Sequence, residues 1–300
     1  MRMLIHPASM LGAAGVVLVL LSGPQDPRPL PDEATFLAEV KQNLASDERL
    51  QARYTYKLRR TEIGRNPFGR IGTGDVVLYE VYPSPILELT YYRRISKNGV
   101  AFSASELAAQ DRKQRAKVDD YVRRLRRESA RDRERQLEQG SVVGQRERAM
   151  VADVTAALEY KMERREVVNG RPAIIVSFTP KPSARPWSGE GKLVKHFKGR
   201  VWIDEEERQI ARGEAEAIDT VSFGLGFLVR INRGTKGLFT RRLWEGGAWL
   251  PVDARLTGTG LALLFRRFDL DFVSEYFDYQ PIDPAAPPSF VALPGDLTRR

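Results

Sequence analysis

A two-residue periodicity constrains this chain more than any other feature. Between Phe197 and Pro281 seven runs follow one another: FKGRVWID, RQIARGEAEAI, GFLVRINRG, GLFTRRLWEGG, AWLPVDARLTG, LALLFRRFDL and DFVSEYFDYQP. Gly, Asn, Asp and Glu separate them. Side chains in a strand point to alternate faces, so such runs form half-buried strands, and short links between them make neighbours antiparallel. Upstream, Ala52, Tyr54, Tyr56 and Leu58 alternate with Arg53, Thr55, Lys57 and Arg59. GDVVLYEVYPSP and LELTYYRRISKNG continue as strands, and LEYKMERREVVNGRPAIIVSFTP reads as a hairpin about Asn169–Gly170, a pair suited to the positive φ angles of a type I′ turn. The expectation is an antiparallel meander of about ten strands.

Helical spacing interrupts this pattern in three places. In DEATFLAEVKQNLASDERLQ, Asp32 is placed to cap a helix whose apolar face carries Phe36, Val40 and Leu44. Ser103 and Glu106 have the spacing of a capping box, opening a helix predicted to run to about Gln139, where Gly140 can end it. Its apolar stripe, Leu107, Val118, Tyr121, Val122 and Leu125, is narrow, and the chain beyond is almost wholly charged. At 1.5 Å per residue this helix approaches roughly 50 Å, so its distal half projects or breaks around Ser129. Asp132 and Glu134 interleave with the arginines there and offer partners one turn away, which marks a solvated helix face rather than a nucleic-acid surface. QRERAMVADVTAALEY is the third helical stretch.

Composition narrows the chemistry. The chain has no cysteine, which excludes disulfides, thiolate nucleophiles and cysteine-ligated metals. Its histidines are His6 and His196. The N-terminal segment containing His6 reads as an export signal: Arg2 precedes the apolar core MLGAAGVVLVLL, from Met10 to Leu21, and LSGPQDP breaks it. Cleavage near Ser22–Gly23 and retention as an uncleaved anchor both fit. Forty-eight Lys and Arg against 39 Asp and Glu leave a net charge of +9. In an exported protein this excess suits an anionic membrane surface better than nucleic acid, although it also fits simple solubility.

Candidate sites are few. The acids Asp204 to Glu207 interrupt two alternating runs as a hairpin loop would, without the spaced ligands and glycine of a calcium loop. A hydrolase built on Asp204 and Glu214 needs both acids across one cleft. No G-x-S-x-G accompanies His196, and neither SFGLGF nor GTGLALL matches a dinucleotide or phosphate loop, so both read as turns or bends. No catalytic residue, metal ligand or cofactor is assigned. Apolar side chains alternating along the strands, Tyr54, Tyr56, Leu58, Val201, Ile203, Phe227, Val229, Ile231, Leu263 and Phe265, suit core packing or the wall of an apolar cavity between a curved sheet and its helices.

Three segments carry a family resemblance: YYRRISKNGVAFSASELAAQDRKQRAKV, GRVWIDEEERQIARGEAEAID and GTKGLFTRRLWEGGAWLPVDARL. Their order and the G-x-x-W-I-D and G-x-W-L-P patterns resemble the LolA-like superfamily of outer-membrane lipoprotein-sorting proteins, over most of Ala34 to Pro281. The resemblance implies an α+β fold, an unclosed antiparallel β half-barrel covered by helices, here with a long charged helical excursion. The domain plan is a signal peptide over 1–23, a linker over 24–33, the half-barrel over 34–282 with a helical insertion at 103–139, and a proline-rich tail over 283–300. The implied function is non-enzymatic binding of a lipid or acyl chain in the periplasm or cell envelope, in lipid or lipoprotein transport. The alternative is a protein-interaction or sensor module that grips an envelope protein with the charged helix and uses the barrel as scaffold.

Overall fold

The structure, a computed structural model of the chain, describes residues 28–44, 53–65, 71–84, 89–127, 149, 151–223, 229–262, 266–269, 271–283 and 288–292. The expected signal peptide, the distal part of the charged helix, and Phe227, Leu263 and Phe265 lie outside the described residues.

Fifteen described strands alternate with three labelled helices. In chain order they are α1 (Glu33–Leu44), β1 (Tyr54–Arg65), β2 (Ile71–Tyr82), β3 (Tyr91–Lys97), β4 (Val100–Ala101), α2 (Ala104–Arg127), β5 (Leu158–Val168), β6 (Arg171–Pro180), α3 (Gly189–Val194), β7 (Phe197–Asp204) and β8 (Ile210–Ala217). Then come β9 (Val221–Phe223), β10 (Val229–Ile231), β11 (Lys236–Leu243), β12 (Trp249–Thr257), β13 (Thr259–Ala262), β14 (Arg266–Asp269) and β15 (Phe272–Pro281). Eleven strands form one antiparallel sheet in the order β4-β3-β2-β1-β15-β12-β11-β8-β7-β6-β5. Its end strands β4 and β5 do not pair with each other, so the sheet is unclosed and the fold is α+β, as expected.

The turns follow local chemistry. Asn98–Gly99 and Asn169–Gly170 all have positive φ, at 52°, 81°, 52° and 80°, the left-handed geometry that asparagine and glycine adopt at least cost. The last strand, β15, inserts between β1 and β12 and ties the two ends of the domain together.

A second sheet, in the order β14-β13-β10-β9, prolongs the first. Four neighbouring strands of the main sheet, β15, β12, β11 and β8, continue across a bend into β14, β13, β10 and β9 in the same spatial order. The run LALLFRRFDL, expected as one strand, thus contributes to two, β13 and β14, which pair antiparallel. At the bend, Gly258 leaves room for Thr235: a β-carbon there would lie 2.4 Å from the threonine hydroxyl oxygen. Buried Asp271 accepts the Gly258 amide at 2.8 Å, while its carbonyl accepts the Ile63 amide at 2.7 Å.

Helices cover different regions of the sheet. Asp32 caps α1, accepting from the Thr35 amide at 2.9 Å and hydroxyl at 2.7 Å. Phe36 and Val40, one turn apart, bury against Ile174, Val176 and Ile203. Ser103 and Glu106 form the expected capping box: the Ser103 amide donates to the glutamate at 2.8 Å and the Glu106 amide to the serine hydroxyl at 3.3 Å. Farther along α2, Val118 and Val122 pack on Leu89.

Exposed strand edges invite pairing with other chains, and helix side chains occupy backbone groups near both. At β3, Gln110 of α2 accepts the Arg94 amide and donates to the Arg94 carbonyl, each at 3.0 Å, as a neighbouring strand would. At β5, Glu33 of α1 accepts the Met162 amide at 3.1 Å, and Arg165 donates to the Arg28 and Pro29 carbonyls.

Candidate binding groove

The acidic run resolves first. Asp204 ends β7 and is 1% exposed. Its carboxylate accepts two bonds from Arg171, at 2.6 and 3.0 Å, and the Glu206 and Glu207 amides at 3.1 and 2.8 Å. Burial alone would raise this carboxyl, but the guanidinium and the amides outweigh it and hold it below the ordinary carboxylate range. Glu205 pairs with Arg165 at 2.7 Å, and Arg208 pairs with Glu39 of α1 at 2.5 Å. Glu206 also accepts from Arg171, at 3.0 Å, so Asp204, Glu205 and Glu206 tie the hairpin to β5 and β6 while Arg208 seats α1. Asp204 faces no cleft, and a hydrolase built on it has no geometric basis.

Alternation then divides β7 and its neighbours into two faces. Val201 and Ile203 pack against the α1 cluster, while Trp202 joins Ala173 and Ile175 on the opposite side. Glycines on the α1 face are roofed by aromatic rings. A β-carbon on Gly199 would lie 2.7 Å from the Phe178 ring, and one on Gly213 would lie 2.3 Å from the Phe239 ring. This face is filled by the protein's own side chains where Val201 and Ile203 lie.

The other face carries charge in register. Lys198 stands opposite Glu216, Glu216 opposite Lys236, and Lys236 opposite Thr257. The next row runs Arg200, Glu214, Leu238, Arg255. These two rows, with Glu163 and Ser177 to Thr179 on the β5–β6 side, line a cavity of about 590 Å³. Backbone at Gly199, Ala215 and Gly237 completes its floor. Arg200 pairs with Glu163 at 3.2 Å, Lys236 approaches Glu216 at 4.0 Å, and Arg212 bonds Glu214 from the flank.

Such a groove offers two kinds of contact. Lys198, Arg200, Lys236 and Arg255 line it with Leu238, and long cationic side chains of this kind can offer methylenes to an apolar ligand while keeping their charge in water. Its volume lies within the usual range for small-molecule sites, roughly 300–1,000 Å³. An apolar chain laid along the stems with a charged head at the rim would satisfy both contacts. Among the described residues no group of three or more His, Asp or Glu is placed to hold a metal ion.

Among the described candidates, Tyr54, Tyr56, Leu58, Val201, Ile203 and Ile231 are not part of the groove lining. Tyr54 and Tyr56 instead join Trp244, Leu250, Tyr276 and Tyr279 in a separate cluster, with the Tyr56 and Tyr279 rings 5.3 Å apart. Burial pushes the Tyr56 phenol well above its ordinary range, with Tyr92 and Tyr276 adding to the effect. Leu58 is buried in β1. Val229 and Ile231 lie on β10, beyond the bend. His196 Nδ1 meets Asp219 Oδ1 at 2.6 Å, and its carbonyl accepts the Ile218 amide, clasping the start of β7 to the end of β8. Of the acids marked in the sequence, Glu214 reaches the groove. The missed signal was the period-two order of Lys198, Arg200, Glu214, Glu216 and Lys236, whose meaning depends on cross-strand register.

No protein-family model matches the chain, and no curated protein matches it. Solved structures do. A lipoprotein-sorting protein domain from Vibrio parahaemolyticus aligns at 8% identity over 85% of this chain and 96% of its own, with a TM-score of 0.33. A LolA superfamily protein from Nitrosomonas europaea aligns at 9% identity over 90% and 99%, with a TM-score of 0.27. A DUF1329 family protein from Desulfovibrio piger aligns at 12% identity over 84% and 94%, with a TM-score of 0.30. The groove stands on its own geometry.

Proposed function

We propose that the protein is an exported, non-catalytic binding protein of the cell envelope that holds an amphiphile, an acyl chain with a charged head, in the groove across β7, β8, β11 and β12. The observation that carries this reading is the cavity of about 590 Å³, where methylene-rich basic stems and Leu238 lie beside alternating charges. Each methylene removed from water on binding contributes about 0.8 kcal/mol, so a chain of a dozen carbons needs no covalent attachment. The apolar segment from Met10 to Leu21 supports export.

The test is displacement of a fluorescent fatty-acid probe from the purified protein, with native mass spectrometry to identify retained lipid. Leu238→Arg places a charge on the apolar part of the groove and is expected to weaken probe binding at least about tenfold, while circular dichroism stays unchanged. Wild-type protein that takes up no acyl probe, or a Leu238→Arg variant that binds as wild type does, would overturn the reading.

A further inference from the structure

The C-terminal segment 288–292 sits against the far end of the sheet from α1, in a slot built by α2 and the β2–β3 hairpin. Phe290 places its ring edge-on to Tyr82 at 5.1 Å and to Tyr91 at 5.5 Å, and the Arg93 guanidinium lies 5.9 Å from its centre. Arg115 of α2 donates to the Ser289 carbonyl at 2.8 Å and the Ala292 carbonyl at 3.2 Å. The segment is itself a tight turn, with the Val291 and Ala292 amides both donating to the Pro288 carbonyl, at 2.9 and 3.0 Å.

The slot is organised by residues other than its occupant. Asp111 of α2 accepts from Tyr91 at 2.9 Å and from Arg93 at 3.0 and 2.9 Å, and Glu80 accepts from Arg93 at 3.0 Å and Tyr82 at 3.2 Å. Tyr82 and Tyr91 stack with their rings 6.1 Å apart. Arg115 is braced by Asp119 one turn along α2, at 2.7 Å. Two aromatic walls, a cation over the ring and a second cation for two turn carbonyls are thus each held by partners other than Phe290.

The occupant is attached differently from the rest of the domain. Strand β15, immediately upstream, is laddered to β1 and β12 by backbone hydrogen bonds. Residues 288–292 make no strand pairing, and among the described residues their hydrogen bonds to the domain come from Arg115 alone. One ring and two carbonyls are the contacts of a short peptide ligand, and the flanking prolines reduce the entropy such a segment loses on docking.

We propose that this slot is a peptide-recognition site, held in cis by the chain's own tail, for a partner protein presenting a proline-flanked aromatic residue within a tight turn whose two outward carbonyls lie on either side of it. The tail is then a displaceable internal ligand, and partner binding exchanges one such segment for another. This surface is separate from the groove, so its failure would leave the amphiphile reading untouched.

The experiment uses the full-length chain and a fluorescent peptide of residues 284–295. In the wild type, a tethered tail competes at the millimolar effective concentration typical of short linkers, so the peptide binds weakly in fluorescence anisotropy. Phe290→Ala in the protein empties the slot and is expected to tighten peptide binding about tenfold or more. Adding Arg115→Ala to that variant, or replacing Phe290 by Ala in the peptide, is expected to abolish the gain. The proposal is overturned if the folded Phe290→Ala protein does not bind the peptide, or binds it no more tightly than wild type. It is also overturned if Arg115→Ala has no effect, or if the wild type forms concentration-dependent dimers that Phe290→Ala dissolves, since the slot then joins copies of this chain.

Discussion

Asp204→Asn tests how the acidic hairpin is held. Asparagine keeps the size of the side chain and an oxygen for the Glu206 and Glu207 amides, at 3.1 and 2.8 Å in the native protein, but loses the charge that receives Arg171 at 2.6 and 3.0 Å. Hydrogen bonds to charged groups contribute about 1.5–3 kcal/mol each. Two such bonds are lost, but the Arg171 side chain is 28% exposed and retains Glu206 at 3.0 Å, so the loss falls toward the low end, about 2 kcal/mol. With a urea m-value of about 3 kcal/mol/M, the unfolding midpoint at pH 7 should drop by about 0.7 M. The sign with pH follows from the depressed folded-state pKa of Asp204. Its contribution is present in full above the ordinary carboxyl value of 3.8 and disappears as pH falls through the lower folded value. The gap between wild type and Asp204→Asn should therefore be constant from pH 7 to 5 and close below pH 3.8. Urea melts followed by tryptophan fluorescence at pH 7, 5, 4 and 3 read this directly. A variant within about 0.5 kcal/mol of wild type at pH 7, or a gap that does not change with pH, would refute the assignment of Asp204 as the paired carboxylate of the turn.

Two further substitutions test the fold where its geometry is tightest. Gly199→Ala places a β-carbon 2.0 Å from the Glu214 carbonyl oxygen, a backbone atom that cannot rotate away, and should cost about 3 kcal/mol or more in a urea melt, whereas Gly189→Ala, with open space around it, should change stability by less than about 1 kcal/mol. Ser103→Ala removes the hydroxyl side of the capping box and should lower stability by about 1 kcal/mol, with loss of amide-exchange protection concentrated in the first turn of α2.

Much of this architecture was legible along the chain because its signals are local. The capping pair Ser103 and Glu106, the N-cap Asp32, the turn at Asn169–Gly170 and the inward pair Val201 and Ile203 each depend on residues within a few positions of one another. The acidic run was readable as a turn for the same reason. One feature misled. LALLFRRFDL holds no Gly, Pro or Asn to mark a turn, so nothing along it signals that the chain reverses between β13 and β14. Alternation placed Val201 and Ile203 on one face but could not show that Phe36 and Val40 cover them, nor that Tyr54 and Tyr56 cluster with Tyr279. The groove was missed because its residues look like an ordinary solvated face when each strand is considered alone.

Periodicity, caps and turn residues were enough to specify the strands, the helix starts and the antiparallel connections, since backbone sterics and hydrogen bonding within a few residues decide them. The tertiary structure decided everything that joins distant segments. It inserted β15 between β1 and β12, bent four neighbouring strands together at Gly258 and Thr235, and seated Phe290 between Tyr82 and Tyr91. It also brought Lys198, Glu216, Lys236 and Thr257 into one row and Arg200, Glu214, Leu238 and Arg255 into the next. Register is a relation between strands far apart in the chain, selected by the burial of the opposite face against α1, and a one-residue slip would carry those charges into the core.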